Sequence, residues 1–383
     1  MGKSTAIYLI RHTQAEGNKY RIIQGHCDGD VTLIGLKEID ALSERFRDIR
    51  LDAVYSSDLY RAVLTAQGAA KYSGIPVQTD IRLRELNMGA WEGCFFGNVA
   101  YESPEASGKF LNATWDWKIE GAETLEDVSV RACEVLRELA EKHLGDTIAV
   151  VSHGMAIRCI LTKLIGYARS GEGMAPIVSN TGVTKLIFDG ENFTAEYIND
   201  TAHLAGLGVS DWIQRNGLRN VRFSPTADRQ YYAACYTEAW SFAHGGSTEG
   251  FNPETYFKAA QRHFAYDSDS VMRLYRDNDA AGLVDLDAKR GKDEGYGWIS
   301  LLYLSPEFRG QGFGIQALAR AIMFYKARGR TALRLNVSAS NRTAIDFYKH
   351  NLFKIIGTEQ GAGGPIYLME RTLGHINEDA AAQ

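Results

Sequence analysis

The stretch Ala6-Ile7-Tyr8-Leu9-Ile10-Arg11-His12 ends an apolar run on a cation and an imidazole. Later in the chain Thr147-Ile148-Ala149-Val150-Val151-Ser152-His153-Gly154 repeats the device. Both runs are apolar throughout rather than alternating, which predicts strands at Ala6–Ile10 and Thr147–Val151 that are buried on both faces. Ala53–Tyr55 reads the same way. After His153, the residues Ile157, Ile160, Leu161, Leu164 and Ile165 follow the helical repeat, and Gly166 supplies a stop. An Ala-rich helix that starts near Arg61 is closed by Gly74. Strands alternating with helices make the first half α/β, a sandwich around a mostly parallel sheet.

Outward from these strands, 383 residues suffice for two domains. The periodicity lapses at Ala205-Gly206-Leu207-Gly208-Val209-Ser210-Asp211, a glycine-bearing stretch of the kind that joins domains. The expected division is a first domain over 1–207, a linker over 208–219 and a second domain over 220–375. The second opens with a short strand, Asn220–Phe223, and helices at Asp228–His244 and Pro253–Phe264. Strands are predicted at Ser270–Arg276, Ala281–Asp287 and Tyr296–Leu304, then a helix at Gly314–Arg328 and a strand at Ala332–Val337. A short helix at Thr343–His350 and strands near Phe353–Thr358 and Ile366–Arg371 complete it. Strands in runs make this half α+β. The tail Ala380–Gln383 is expected to fray.

Lys and Arg total 42 against 47 Asp and Glu, a net charge of -5. A general nucleic-acid binder would carry a basic excess, so that class is disfavoured. No apolar run is long enough for a membrane span. The apolar run after Met1-Gly2-Lys3-Ser4 is cut off by Arg11, too soon for a signal peptide, and Ala6 stands where a myristoylation signal wants Ser or Thr. The cysteines Cys27, Cys94, Cys133, Cys159 and Cys235 form no Cys-x-x-Cys pair. That argues against a zinc cluster or a disulfide scaffold, and an odd number suits a reducing compartment. The expectation is a cytoplasmic protein with no metal, nucleic-acid or membrane partner. Nothing in the chain speaks to its oligomeric state.

In open α/β sheets ligands sit beyond the carboxyl ends of the strands, so Arg11 and His12 share one crevice with His153 and Gly154. The helix starting at Gly154 turns its N–H groups and positive potential to the same place. Arg61 follows the strand-end pair Ser56-Ser57 in a helix's first turn, where a cation is locally unfavourable and a ligand is the better reason for it. Singly, each would pass for a surface or capping residue. Two arginines and two histidines together make an anion site, most simply for a phosphoryl group.

These residues stand in longer motifs that resemble, in order, those of the histidine phosphatase superfamily, the phosphoglycerate-mutase-like group. The motifs are Tyr8-Leu9-Ile10-Arg11-His12-Thr13-Gln14-Ala15-Glu16-Gly17-Asn18, Tyr55-Ser56-Ser57-Asp58-Leu59-Tyr60-Arg61-Ala62 and Leu83-Arg84-Glu85-Leu86-Asn87-Met88-Gly89-Ala90-Trp91-Glu92-Gly93. Gly121-Ala122-Glu123-Thr124 and Val151-Ser152-His153-Gly154 follow. The resemblance covers about residues 4–204, and Thr13 departs from it where Gly is usual. It implies that His12 is the nucleophile and carries a phosphohistidine. It also implies that Arg11, Arg61 and His153 bind the equatorial oxygens, with Asn18 and the backbone at Gly154 as neutral donors. Glu85 would protonate the leaving alcohol and then activate water. Mutases of this superfamily carry longer insertions around the pocket, so a phosphatase is favoured.

In the second half, Arg309-Gly310-Gln311-Gly312-Phe313-Gly314 lies between a predicted strand and a helix. Glycines let backbone N–H groups approach a pyrophosphate, and the helix N-terminus favours one. The run is not Gly-x-Gly-x-x-Gly, because Ile315 takes the last place, and no Gly-Lys-Ser/Thr makes it a Walker loop. Alone it would be a tight turn. Preceded by Leu302-Tyr303-Leu304-Ser305-Pro306-Glu307-Phe308, it resembles the acyl-CoA motif of the GNAT N-acetyltransferases. Asn341-Arg342-Thr343-Ala344-Ile345-Asp346-Phe347-Tyr348-Lys349-His350-Asn351-Leu352-Phe353 is similar to their second block. This resemblance covers about residues 220–373, with Leu352 where Gly is usual.

The GNAT resemblance implies a mixed, mostly antiparallel sheet, acetyl-CoA as cosubstrate and an amine acceptor. Residues Arg309 to Gly314, with Asn341, would hold the cofactor, main-chain groups of Leu302 and Leu304 the pantetheine, and Tyr348 would protonate the thiolate. The spacing of Ala344, Phe347 and Tyr348 suits plain core packing equally. Glu294 and Tyr296 are the candidates for a base. The whole chain is then expected to be bifunctional, hydrolysing a small phosphorylated metabolite and N-acetylating an amine. The alternative is a phosphatase regulated by an acyl-CoA-binding sensor that transfers nothing.

Overall fold

A computed structural model describes residues 3–168, 174–207, 217–361 and 364–374. They form two units, one of residues 3–95 and 102–207, the other of 96–101 and 217–374. Most of the expected linker, 208–216, and the tail Ala380–Gln383 lie outside the described residues.

The chain begins with β1 (Thr5–Arg11), α1 (Glu16–Tyr20), α2 (Leu33–Phe46), β2 (Ala53–Ser56), α3 (Tyr60–Ala70) and β3 (Val77–Thr79). Next come α4 (Phe96–Glu102), α5 (Pro104–Leu111), α6 (Leu125–Lys142), β4 (Thr147–Ser152), α7 (Gly154–Leu161) and the hairpin β5 (Val183–Phe188) and β6 (Phe193–Asp200). The strand order is β3-β2-β4-β1-β5-β6. The first four of these are parallel neighbours, and the hairpin adds an antiparallel edge. The sheet is mostly parallel, as the buried runs imply.

Alternate residues of a strand face opposite sides of its sheet. Ile7 and Leu9 pack with Ile148 and Val150 against Leu136 of α6 and Ile157 and Ile160 of α7. Tyr8 and Ile10 pack with Val54 and Val151 against Leu42 of α2 and Ala62 and Ala66 of α3. Helices cover both faces, so the positions of β1 from Ala6 to Ile10 are all apolar. β1 and β4 pair in register with Arg11 opposite Ser152, which carries His12 and His153 out of the sheet at the same level.

The second unit runs through β7 (Arg219–Arg222), α8 (Arg229–Ala243), α9 (Pro253–Tyr266), β8 (Val271–Arg276), β9 (Asp279–Asp287) and β10 (Tyr296–Leu304). It continues with α10 (Phe313–Lys326), β11 (Ala332–Ser338), α11 (Arg342–His350), β12 (Lys354–Gly361) and β13 (Gly364–Thr372). The strand order is β12-β13-β11-β10-β9-β8-β7, and only β10 and β11 run parallel. The sheet is therefore mixed and mostly antiparallel. Tyr232 of α8 and Phe257 of α9 pack with Leu283 and Leu301 in its core.

The parallel pair comes apart midway. β10 pairs with β11 only from Tyr296–Ala332 to Ile299–Leu335. The β9–β10 register slips by one residue at Ser300. A bulge bends its strand, and beyond Ser300 β10 has β9 alone as its partner.

Candidate active sites

His12 and His153 are buried, and their ring centroids lie 5.0 Å apart. His12 Nδ1 is 2.7 Å from the Thr13 carbonyl. A carbonyl only accepts, so Nδ1 carries the proton and the lone pair is on Nε2. Burial, with the charges of Arg61 and Arg11 nearby, holds His12 well below the usual histidine range. Burial and Arg61 do the same to His153. Both rings are neutral at neutral pH.

Neither nitrogen of His153 has a hydrogen-bond partner among the described residues, nor has the buried Nε of Arg11. Such orphans are rare in folded proteins and ask for a reason. Arg11 Nη1 donates to the Val178 carbonyl at 2.6 Å, and the guanidinium lies 3.4 Å from where a Cβ on Gly154 would stand. Asn18 Oδ1 accepts the Ala15 N–H at 3.0 Å, leaving the NH₂ end as its donor.

Arg61 is 1% exposed, and the chain folds around it. Nη1 donates to the Cys27 carbonyl and to Asp28 Oδ1, both at 3.1 Å, and Nη2 to the Gly25 carbonyl at 2.8 Å. A first-turn cation is thus met by Asp28 and two carbonyls, and only the Nε proton and one on Nη2 are left for a ligand.

Glu85 Oε1 accepts from Leu86 N at 2.9 Å and Ala156 N at 3.1 Å, and Oε2 from Met155 N at 3.1 Å. The carboxylate therefore sits on the first turn of α7, beside His153. Its loop is held by residues that the motifs do not single out. Arg131 of α6 donates to the carbonyls of Arg82, Arg84 and Glu85 at 2.8, 2.7 and 2.8 Å and to both oxygens of Glu123 at 2.8 Å. His26 Nε2 donates to the Glu85 carbonyl at 2.9 Å. Glu92 collects the N–H groups of Gly25, His26, Cys27 and Met88. Burial pushes Glu92 up, but those bonds win and hold it below the usual carboxylate range. Glu92 and Glu123 lie inside the quoted motifs. Arg131 carries no signal, because it sits in an ordinary amphipathic helix.

Thr13, the departure from the family pattern, turns its hydroxyl into α2, to the Gly35 carbonyl and Glu38. It does not narrow the pocket.

In the second unit, Ser305 N donates to the Ala281 carbonyl on β9. Backbone groups alternate in direction along an antiparallel strand, so those of Leu302 and Leu304 face away from β9, into the opening left by β11. The Leu304 carbonyl is taken, however, by Arg309 Nε at 2.8 Å, and Arg309 Nη2 pairs with Glu238 of α8 at 2.7 Å. Arg309 is tied to its own scaffold, which leaves Leu302 and the Leu304 N–H for a ligand.

Gly310 and Gly312 have φ of 69° and 82°, and nothing lies within 4 Å of a Cβ built on Gly310. Open backbone at the start of α10 is what a pyrophosphate needs, so the loop fits acetyl-CoA. Gln311 donates to the Glu307 carbonyl at 2.5 Å, and Phe313 is buried against Phe308. Gly314 has a packing reason, since a Cβ would stand 2.9 Å from the Phe347 ring.

Asn341 Oδ1 caps α11 through Ala344 N at 3.1 Å. Tyr348 is buried between Phe347 and Phe353, and burial pushes its hydroxyl pKa up, which keeps it protonated. Leu352 adopts φ of 71°, a left-handed conformation that glycine takes freely. Glu294 is exposed, and Tyr296 stacks on Arg334 at 4.1 Å. Neither gains support as a base. Among the described residues no three His, Cys, Asp or Glu are grouped to hold a metal ion, and no helix is long and apolar enough to cross a membrane.

Residues 7–201 match the histidine phosphatase superfamily (branch 1), and residues 230–352 match the acetyltransferase (GNAT) family. Phosphoglycerate mutase-like protein 4 of Arabidopsis thaliana is 34% identical over 206 residues, which are 53% of this chain and 88% of that protein. The metal-independent phosphoserine phosphatase of the same plant is 30% identical over 207 residues, 53% of this chain and 85% of that protein. Among solved structures, YhfR of Bacillus stearothermophilus is similar with a TM-score of 0.50 at 29% identity, covering 52% of this chain and 99% of that one.

Proposed function

Because the chain belongs to the histidine phosphatase superfamily and carries a GNAT acetyltransferase domain, we propose that it is a bifunctional enzyme. Its first activity is hydrolysis of a small phosphate ester through phosphohistidine. The observation that carries this is the pair of buried rings 5.0 Å apart, one with its lone pair on Nε2, beside the orphaned nitrogens of His153 and Arg11. His12 Nε2 attacks phosphorus, and the P–N bond forms as the ester P–O bond breaks. Glu85 gives the leaving oxygen its proton. Glu85 then takes a proton from water, whose oxygen attacks phosphorus and returns the electron pair of the P–N bond to His12. Arg11, Arg61 and His153 stabilise the three equatorial oxygens throughout. Two relatives are named for phosphoglycerate and phosphoserine, so small phosphorylated carboxylic acids are the first substrates to try.

The second activity is acetyl transfer to an amine. When bound, acetyl-CoA supplies the acetyl group as a thioester. Backbone N–H groups around Gly310 and Gly312 would hold its pyrophosphate and Leu302 its pantetheine, and Tyr348 would give its proton to the departing sulfur.

The test is direct. His12→Ala lowers phosphate-ester hydrolysis at least about a thousandfold, as loss of a nucleophile does, and chelators leave the native rate unchanged. Full activity in that variant would refute the assignment. Thiol release from acetyl-CoA with a panel of amines supports transfer, whereas saturable binding without release would make the second unit a sensor.

A further inference from the structure

Beneath the phosphate pocket lies a carboxyl that this chemistry does not use. Glu38 of α2 is fully buried, and so is Thr13. Thr13 Oγ1 stands 2.6 Å from the Gly35 carbonyl and 2.9 Å from Glu38 Oε2. The same Oε2 accepts the Gln14 N–H at 2.7 Å, and Oε1 has no partner among the described residues.

A hydroxyl has one proton to give. A carbonyl and an ionised carboxylate can only accept, so with Glu38 charged one of the two contacts at Oγ1 sets lone pair against lone pair in a buried site. We propose that Glu38 is held as a neutral carboxylic acid, with its proton on Oε2. Oε2–H then donates to Thr13 Oγ1, Oγ1–H to the Gly35 carbonyl, and Gln14 N–H to Oε2. Three protons serve three contacts. A proton on Oε1 would instead be a buried donor with nothing to bind. Burial favours the same neutral form, against Gln14, Thr13 and the charge of Arg11 at the end of β1. From α3 the group holding Thr13 is the neutral Thr65, which accepts the Thr13 N–H at 2.9 Å.

Thr13 is therefore fixed through its N–H and its hydroxyl, and its carbonyl is the acceptor for His12 Nδ1. Glu38 is a positioning residue. It holds the tautomer that leaves Nε2 free, and by staying neutral it leaves the Arg11 charge to the phosphoryl group. Loss of its proton at alkaline pH removes the donor to Thr13 and sets a negative charge facing Arg11. The phosphatase then shuts down. This rests on His12 as the nucleophile.

The test uses p-nitrophenyl phosphate, whose phenolate leaves without a proton, so the first step needs no acid from Glu85. For the wild type, kcat/KM falls about tenfold per pH unit on the alkaline side. Glu38→Gln keeps the position neutral, removes that fall and stays within about fivefold at neutral pH, the worth of one lost hydrogen bond. An unchanged alkaline fall in the variant overturns the proposal. Infrared difference spectra give a readout independent of activity. A protonated-carboxyl band in the wild type at neutral pH, missing from Glu38→Gln, supports the proposal, and a wild type showing only carboxylate bands overturns it. Should the variant not fold, the wild-type band, lost on alkaline titration, still decides. Should the wild type hydrolyse nothing, the phosphatase assignment fails, and the band still reports on Glu38.

Discussion

Two imidazoles buried among guanidinium groups have to fold without their protons. In the unfolded chain His12 and His153 titrate near the ordinary value of about 6.5. In the fold both lie well below it, from burial first and Arg61 next. The unfolded state therefore binds more protons below that value. The stability they contribute is present above about pH 6.5 and falls with acid, by about 1.4 kcal/mol per pH unit for each ring. His203, held at about 4 by burial and by Arg45, acts in the same direction. Denaturant unfolding between pH 5 and 7.5 checks this. His153→Gln is expected to shallow the dependence, and a slope equal to the wild type's would mean that His153 titrates freely in the fold. These histidines are legible in sequence because each follows a buried strand, a place where polarity has no packing reason. Glu38 and Arg131 are not. Glu38 acts on Thr13 and Gln14 of another segment, and Arg131 on carbonyls far along the chain. Contacts across loops leave no period to read.

Helix α9 is tied to strand β9 by charge. His263 Nδ1 donates to Asp285 Oδ1 at 2.7 Å, its Nε2 lies 3.4 Å from Asp287, and Tyr232 of α8 donates to the other oxygen of Asp285 at 2.8 Å. Burial alone would push His263 down, but the two carboxylates outweigh it and raise its pKa to about 9. A raised histidine gives stability that is complete below its unfolded value of about 6.5 and is lost as pH climbs through about 9. Hydrogen exchange in α9 should thus show falling protection between pH 7 and 10 once intrinsic rates are removed. His263→Gln should lack that trend, and protection equally pH-dependent in both proteins would sink the idea. Among elements, the apolar runs and the 3.6-residue repeats declare themselves. The β5–β6 hairpin is passed over by a search for wholly buried strands, since β6 alternates with exposed residues. Its signal is the turn pair Asp189-Gly190, with Gly190 at φ 105°.

Two chemistries in one chain raise the question of whether one can be silenced without the other. Gly312 is the place to ask, because it takes a φ of 82° in the loop that starts α10. A valine there is strained and puts its branch where a pyrophosphate would meet the backbone, so acetyl-CoA binding should weaken more than about tenfold through lost charge-assisted hydrogen bonds. The His12 pocket belongs to a separate unit with its own core, so the phosphatase rate should stay unchanged. Phe96–Tyr101 lie within the stretch that matches the phosphatase superfamily yet belong to the second unit, where Asn98 exchanges hydrogen bonds of 3.0 and 3.1 Å with the backbone of Asn220. Calorimetric titration of both proteins with acetyl-CoA, with phosphatase assays alongside, separates the cases. Equal affinities would remove the pyrophosphate from this loop. A phosphatase rate that falls together with binding would mean coupled sites, and acetyl-CoA would then be a signal to the phosphatase rather than a substrate of its own enzyme.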